Sequence, residues 1–199
     1  ADYLPAPFGL TNFANPVEEV YPSLVPFIEL SDGKIYAASD GADVIEPSDD
    51  GKSLRVVWKK WARINSKSGE RFDIGLTAEV KFKIENNRLF REETLTSNKD
   101  LLIKNWRIAF PMTADKTFAE TKNNARTDFF VGADKTLSVN ASFDWQTEYS
   151  ILATGDSRLG KGTLGAIPLH LIYTSKNLQL RANAPRRWKL ELAVLQNKD

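Results

Sequence analysis

Residues 72–85 read FDIGLTAEVKFKIE. Apolar side chains occupy every second position from Phe72 to Ile84, and charged or small residues fill most positions between them. Successive side chains of a β-strand point to opposite faces, so this alternation predicts a strand from Phe72 to Ile84 with one buried face. At ~3.3 Å per residue the strand would run roughly 40 Å, which is typical of a large curved sheet.

Similar apolar or alternating stretches recur along the chain, separated by turn sequences and by a polar loop at Ser39–Gly51. Only Ala114–Ala125 has a mildly helical composition. Roughly a dozen strands with little helix predict an all-β fold, a large antiparallel β-sandwich. The other predicted strands are Phe27–Leu30, Lys34–Ala38, Leu54–Ile64, Arg88–Thr96, Leu101–Phe110, Asp128–Val131, Thr136–Phe143, Glu148–Ala153, Leu164–Thr174, Leu178–Arg181 and Trp188–Leu195.

The domain organisation follows from length and from proline spacing. A chain of 199 residues is long enough for one domain with a full core. Prolines 5, 7, 16, 22 and 26 recur too often for a helix. We therefore expect an extended Pro-rich arm over residues 1–26 and a single β-sandwich domain over residues 27–199.

Charge and cysteine content limit the partners and cofactors. Basic and acidic residues number 27 and 26, so we expect no nucleic-acid partner, and no apolar run approaches the ~18 residues of a membrane span. The lack of cysteine excludes disulfides and leaves the compartment open, with a periplasmic or extracellular location of a bacterial protein favoured. The spacing of Asp40, Asp43, Asp49 and Asp50 matches no calcium loop, and we expect no metal and no cofactor.

Two register predictions follow from the long alternating strand. Pairing Ile64 with Phe72 brings the apolar faces of Leu54–Ile64 and Phe72–Ile84 together, and sets Trp61 opposite Gly75. After Ile84, a two-residue turn at Asn86-Asn87 would align Phe82 with Arg91 and Val80 with Glu93.

That second register brings charges to the core face, and a shift by one residue would bring Glu92 there instead. One side of Arg88–Thr96 is therefore predicted to be an edge or to line a polar concavity.

Trp61 and Arg63 are candidates for a sugar-binding platform. An indole ring can cover the apolar face of a pyranose while the guanidinium meets hydroxyls or carboxylates. The alternative is that Trp61 only packs over Gly75, and Trp106, Trp145 and Trp188 are more typical of buried sandwich tryptophans.

Arg91, Glu93 and His170 are the remaining candidate ligand-binding residues. Glu92 and Glu93 are adjacent on a strand and point to opposite faces, so they cannot together form the carboxylate pair of a glycosidase. The alternative for Arg91 and its neighbours is a structural ion pair. His170, the single histidine, is either a core residue or an acid or base that reaches a cleft.

The segment Glu79–Pro111, EVKFKIENNRLFREETLTSNKDLLIKNWRIAFP, resembles the central strands of galactose-mutarotase-like supersandwich domains. The shared features are a long strand, an Asn turn, a polar strand ending in a Thr-Ser-Asn loop, and an apolar strand ending in Phe-Pro. Such domains occur in sugar epimerases and as C-terminal domains of polysaccharide lyases and some glycoside hydrolases. The epimerases use two histidines and a carboxylate, and this chain has one histidine, so the resemblance implies an accessory domain rather than an enzyme.

The leading hypothesis is a non-catalytic, carbohydrate-associated β-sandwich module that binds an oligo- or polysaccharide or supports a catalytic domain of a longer chain. A second hypothesis is a small glycan-processing enzyme of the epimerase, lyase or hydrolase type, with His170 and a glutamate as acid and base. A third is a structural or interaction domain without a ligand.

Overall fold

The computed structural model describes residues 3–6, 9–12, 26–38, 41–63, 70–114, 121–123, 126–130, 135–153 and 167–196. Within these ranges the chain forms seventeen strands and no helix. The strands are Tyr3–Ala6 (β1), Gly9–Asn12 (β2), Phe27–Leu30 (β3), Ile35–Ala37 (β4), Val44–Pro47 (β5), Ser53–Trp58 (β6), Trp61–Arg63 (β7), Arg71–Phe72 (β8), Leu76–Glu85 (β9), Arg88–Ser97 (β10), Leu101–Ala114 (β11), Thr121–Asn123 (β12), Arg126–Phe130 (β13), Lys135–Phe143 (β14), Glu148–Ala153 (β15), Ile167–Leu180 (β16) and Arg186–Gln196 (β17).

The strands form two large antiparallel sheets. The eight-stranded sheet has the order β12-β13-β14-β17-β10-β9-β6-β5, and the seven-stranded sheet has the order β15-β16-β11-β3-β4-β7-β8. The predicted all-β sandwich is confirmed. In the region of the predicted arm, β1 and β2 pair with each other, while residues 13–25 lie outside the described part of the chain.

Three local predictions need correction. The polar loop at Ser39–Gly51 contains an edge strand, β5, and the separate strands predicted at Leu164–Thr174 and Leu178–Arg181 are one strand, β16. The described residues of the mildly helical stretch include a short strand, β12, and most of its other residues fall outside the described ranges.

Aromatic side chains from both sheets fill the middle of the sandwich. Trp106 of β11 and Trp188 of β17 are buried, with ring centroids 5.8 Å apart in an edge-to-face arrangement. The ring of Phe143 stacks on Trp188 at 5.2 Å, and Trp145 packs edge-on against Trp106 at 5.5 Å. Such contacts add to the stabilisation that comes from burying the rings.

The predicted strand Phe72–Ile84 is two strands that belong to different sheets. Phe72 ends β8 in the seven-stranded sheet, and Leu76 begins β9 in the eight-stranded sheet. Gly75 lies at the crossing with φ +76°, a left-handed conformation that L side chains rarely adopt. The apolar alternation is continuous across Gly75 because both strands turn apolar side chains toward the same core, but the predicted buried face does not extend to Ile84, which is 56% exposed.

Leu54–Ile64 also divides, into β6 of the eight-stranded sheet and β7 of the seven-stranded sheet. The predicted register holds along β6 and β9, where Val56 pairs with Val80. It is wrong beyond the crossing, where Trp61 pairs with Phe72 and not with Gly75. The three-residue shift arises because five residues, 73–77, separate Phe72 from Ala78 on one side, while only Lys59 and Lys60 separate Trp58 from Trp61 on the other.

The turn between β9 and β10 is as predicted. Asn86 and Asn87 both have positive φ, 51° and 58°, as a type I′ turn requires. Phe82 accordingly pairs with Arg91, and the register shifted by one residue does not occur.

Candidate functional site

Arg91 and Glu93 form a buried ion pair on the core face of β10. The side chains are 1% and 0% exposed, and Arg91 Nη2 lies 2.5 Å from Glu93 Oε2. The guanidinium carbon lies 4.5 Å from the ring centroid of Trp188, a cation–π distance. Because β10 lies between β9 and β17, it is not an edge strand. The two charged side chains on its core face pair with each other and are shielded from solvent.

Burial dominates the electrostatics of the pair. It lowers the pKa of Arg91 and raises the pKa of Glu93, and their mutual attraction only partly opposes both shifts. Both charges are thus held away from solvent, which is the arrangement of a structural ion pair.

Trp61 and Arg63 lie in β7, near one edge of the seven-stranded sheet. Trp61 is 0% exposed, and its indole nitrogen donates to the carbonyl oxygen of Leu76 at 2.7 Å. Its ring therefore packs in the core and presents no surface to a sugar. Arg63 is exposed and pairs across strands with Tyr36.

His170 lies in β16, where its backbone pairs with Pro111 and Leu152. Its side chain lies outside what the structure describes. Three strands separate β16, which contains His170, from β7, which contains Trp61, so these two strands lie about 19 Å apart across the sheet at ~4.8 Å per strand. The five candidate residues are not brought together: three lie at two distant places in one sheet, and Arg91 and Glu93 lie in the other.

The outer face of the eight-stranded sheet contains an open groove of about 460 Å³. Two cross-strand rows line it, each with one residue from β9, β10, β17 and β14 in that order. We call this surface the outer groove. Its rows are Lys83, Phe90, Glu191 and Asn140, and Lys81, Glu92, Lys189 and Ser142.

The aromatic residue of the outer groove is Phe90, which is half-buried between Lys83 and Glu191. Ammonium, carboxylate, amide and hydroxyl groups surround it, so hydrogen-bond donors and acceptors border an apolar ring. A binding site for a polar organic molecule typically combines apolar surface with a few convergent polar groups.

The outer groove also places two carboxylates on neighbouring strands. Glu92 and Glu191 are diagonal neighbours, a relationship with about 7–8 Å between backbones. Glu92 lies 3.3 Å from Lys189, and Glu191 forms an ion pair with Arg88. Both carboxylates therefore already have a cationic partner on the same face of the sheet.

Sequence reasoning missed most of the outer groove, although one signal was present. Once Arg91 and Glu93 face the core, Phe90 and Glu92 must face outward beside Lys83 and Lys81. The contributions of β14 and β17 come from residues far along the chain, and no local pattern indicates that they lie beside β10.

Two aspartates of the polar loop accept hydrogen bonds from backbone N–H groups. Asp43 accepts hydrogen bonds from the backbone N–H groups of Lys59 and Lys60, and Asp50 accepts one from that of Lys52. Among the described residues, no three His, Asp or Glu side chains cluster so as to hold a metal ion. The same residues include no helix long and apolar enough to cross a membrane.

No protein-family model matches the chain, and no curated protein matches it. Solved structures are similar to it. Heparinase III superimposes with a TM-score of 0.51 at 9% identity, covering 78% of this chain and 21% of its own. The Slr1438 protein from Synechocystis sp. PCC 6803 also gives a TM-score of 0.51, at 10% identity over 85% of this chain and 75% of its own.

A putative aldose 1-epimerase from Escherichia coli K12 gives a TM-score of 0.44 at 11% identity, over 86% of this chain and 83% of its own. The likeness is one of fold. In fold, the similarity to heparinase III and the Slr1438 protein agrees with the resemblance that residues 79–111 indicate. The chain spans about a fifth of the length of heparinase III.

Proposed function

We propose that this chain is a non-catalytic, carbohydrate-associated β-sandwich module whose outer groove binds an oligo- or polysaccharide. The observation that carries the proposal is the position of Phe90, half-buried among polar side chains in the open groove. A sugar ring has an apolar face and a rim of hydroxyls, and this arrangement complements both.

The shared fold is consistent with this role. Heparinase III contains the fold as about a fifth of its chain. By analogy, we propose that the module accompanies a catalytic domain when it is part of a longer protein.

The geometry favours binding over catalysis. Glu93 faces the core, sealed against Arg91, in the sheet opposite the one that contains His170. The acid and base of the alternative enzyme therefore cannot be Glu93 and His170 acting on one substrate. Glu92 faces outward from the eight-stranded sheet, also away from the strand of His170.

A glycan-array screen followed by calorimetric titration of the best ligands tests the proposal. Phe90→Ala should weaken binding at least tenfold with little change in thermal stability. Phe82→Ala is the matched control, because Phe82 lies on the same sheet but on its core face, 5.8 Å from the guanidinium of Arg91. That variant should lower stability and leave affinity unchanged.

Absence of binding to every glycan tested would overturn the proposal. Equal affinity of wild type and Phe90→Ala would also overturn it, because the glycan would then bind elsewhere on the protein.

A further inference from the structure

We propose that the glycan recognised by the outer groove is uncharged, a neutral hexose or pentose polymer rather than a uronate-rich or sulfated one. This inference rests on the proposed function and specifies its ligand. It follows from how the charges of the groove are arranged and not from how many there are.

Each lysine of the outer groove already has a carboxylate partner. Lys189 Nζ lies 3.3 Å from Glu92 Oε2, Lys81 Nζ lies 3.2 Å from Glu79 Oε1, and Lys83 Nζ lies 2.8 Å from Glu85 Oε2. An anionic sugar would have to compete with these carboxylates for every ammonium group. It would also approach the carboxylates themselves, which repel it.

The same pairing continues over the rest of this face. Arg55, on the strand beside β9, donates to Glu46 at 2.8 Å and to Glu79 at 2.7 Å, and Arg88 pairs with Glu191. Alternating charges at such short spacing cancel within a Debye length of about 8–10 Å, so the groove projects little field to attract a polyanion.

Paired charges do suit hydroxyl groups. A hydroxyl both donates and accepts, so neighbouring hydroxyls of a neutral sugar can bond to an ammonium group and to its carboxylate partner. Phe90 supplies the apolar surface for the ring, while Asn140 and Ser142 add uncharged donors and acceptors at the β14 side. Recognition of this kind depends on geometry and needs no net charge.

The test is calorimetric titration of the full chain with two sets of hexasaccharides at 20 mM and 300 mM NaCl. The neutral set contains cello-, malto-, manno- and xylohexaose, and the acidic set contains hexagalacturonate and a heparin-derived hexasaccharide. We expect at least one neutral ligand to bind at least tenfold more tightly than both acidic ones. Its affinity should change less than twofold with salt and should be lost in Phe90→Ala.

A variant converts the groove toward anion binding. Glu92→Gln removes the partner of Lys189, and we expect the ratio of acidic to neutral affinity to rise about two- to fivefold, the scale of an exposed ion pair. Asp100→Asn is the matched control, because it removes the same charge from the exposed Arg181 pair, whose residues do not line the groove. The control should leave the ratio unchanged.

The outcomes separate this inference from the proposed function. Tighter binding of an acidic hexasaccharide, with affinity that falls as salt rises, overturns the neutral-ligand inference and leaves the glycan-binding module standing. A neutral ligand that binds equally well to Phe90→Ala overturns both the inference and the proposed function, because it binds outside the outer groove. Binding of neither set removes the inference together with the proposed function.

Discussion

The indole N–H of Trp61 donates a hydrogen bond to the main-chain carbonyl oxygen of Leu76, across 2.7 Å. Trp61 is the first residue of β7 in the seven-stranded sheet, and Leu76 is the first residue of β9 in the eight-stranded sheet. The bond therefore joins the two sheets at the place where both strands of one hairpin cross between them.

Replacement of Trp61 should lower stability without affecting glycan binding. Trp61→Phe loses the hydrogen bond and part of the ring, at a cost of about 1–3 kcal/mol, and Trp61→Ala should cost about 3–5 kcal/mol through the cavity that remains. Urea denaturation measures both values, and titration of the same variants measures affinity. A Trp61→Phe variant that lost affinity while keeping its unfolding midpoint would restore Trp61 as a sugar platform.

Gly75→Ala should be destabilising for two separable reasons. The φ of +76° strains any L side chain, by about 1–2 kcal/mol, and an added Cβ would lie 2.6 Å from Asn98 Oδ1. The double variant Gly75→Ala, Asn98→Ala compared with Asn98→Ala alone should retain the conformational part and lose the steric part. Gly33→Ala is the control, because Gly33 also has positive φ but nothing within 4 Å of its added Cβ. Equal stability of wild type and Gly75→Ala would contradict a strained crossing.

Removing one partner of the buried ion pair should lower the free energy of unfolding strongly, whereas replacing both partners should change it little. Glu93→Gln leaves the guanidinium of Arg91 in the core without its counter-charge, and we expect a loss of about 3–5 kcal/mol in the free energy of unfolding. Replacing both residues, as Arg91→Met with Glu93→Leu, should be nearly neutral or stabilising.

Chemical denaturation of Arg91→Met, of Glu93→Leu and of the double variant gives the coupling energy as a double-mutant cycle. Lys34→Met, which breaks the exposed pair with Asp32, should leave the melting temperature unchanged. A double variant less stable than either single variant would contradict this prediction. It would mean that the attraction within the pair exceeds the desolvation penalty of burying its two charges.

Asp43 should make the protein acid-sensitive. Burial acts to raise its pKa, but hydrogen bonds from the backbone N–H groups of Lys59 and Lys60 and the charge of Arg71 outweigh it, so the pKa lies below the ordinary 3.8. A carboxyl with a lowered pKa binds fewer protons in the folded protein than in the unfolded chain. Its stabilisation is therefore complete above the ordinary value and is lost as the pH falls through the lowered one.

Urea denaturation of wild type and Asp43→Asn between pH 2.5 and 7 tests this. Near pH 7 the variant should be less stable by about 1–3 kcal/mol, because it loses the charge that accepts three hydrogen bonds. The difference should shrink toward pH 2.5. A difference that stayed constant with pH would mean that the charge of Asp43 plays no part.

Local chemistry made parts of the fold predictable. The Asn86-Asn87 turn sets the register of β9 and β10, because two residues with positive φ close a hairpin in only one alignment. The same register indicates that Arg91 and Glu93 face the core and that Phe90 faces outward. The matching apolar faces of β6 and β9 are also a short-range property, and their pairing is as predicted.

The alternation in residues 72–84 determined which face of the chain is apolar, and only the tertiary structure decided which sheet each residue belongs to and that Ile84, near the end of β9, is exposed. Apolar periodicity records burial and carries no information about hydrogen-bonding neighbours, so Phe72 and Leu76 look like one strand although they lie in different sheets. The tertiary structure alone also determined which residues form the outer groove. Phe90 acquires Glu191 and Asn140 as neighbours through strand pairings that close loops of many residues, and the free energy of such pairings depends on the packing of the whole core.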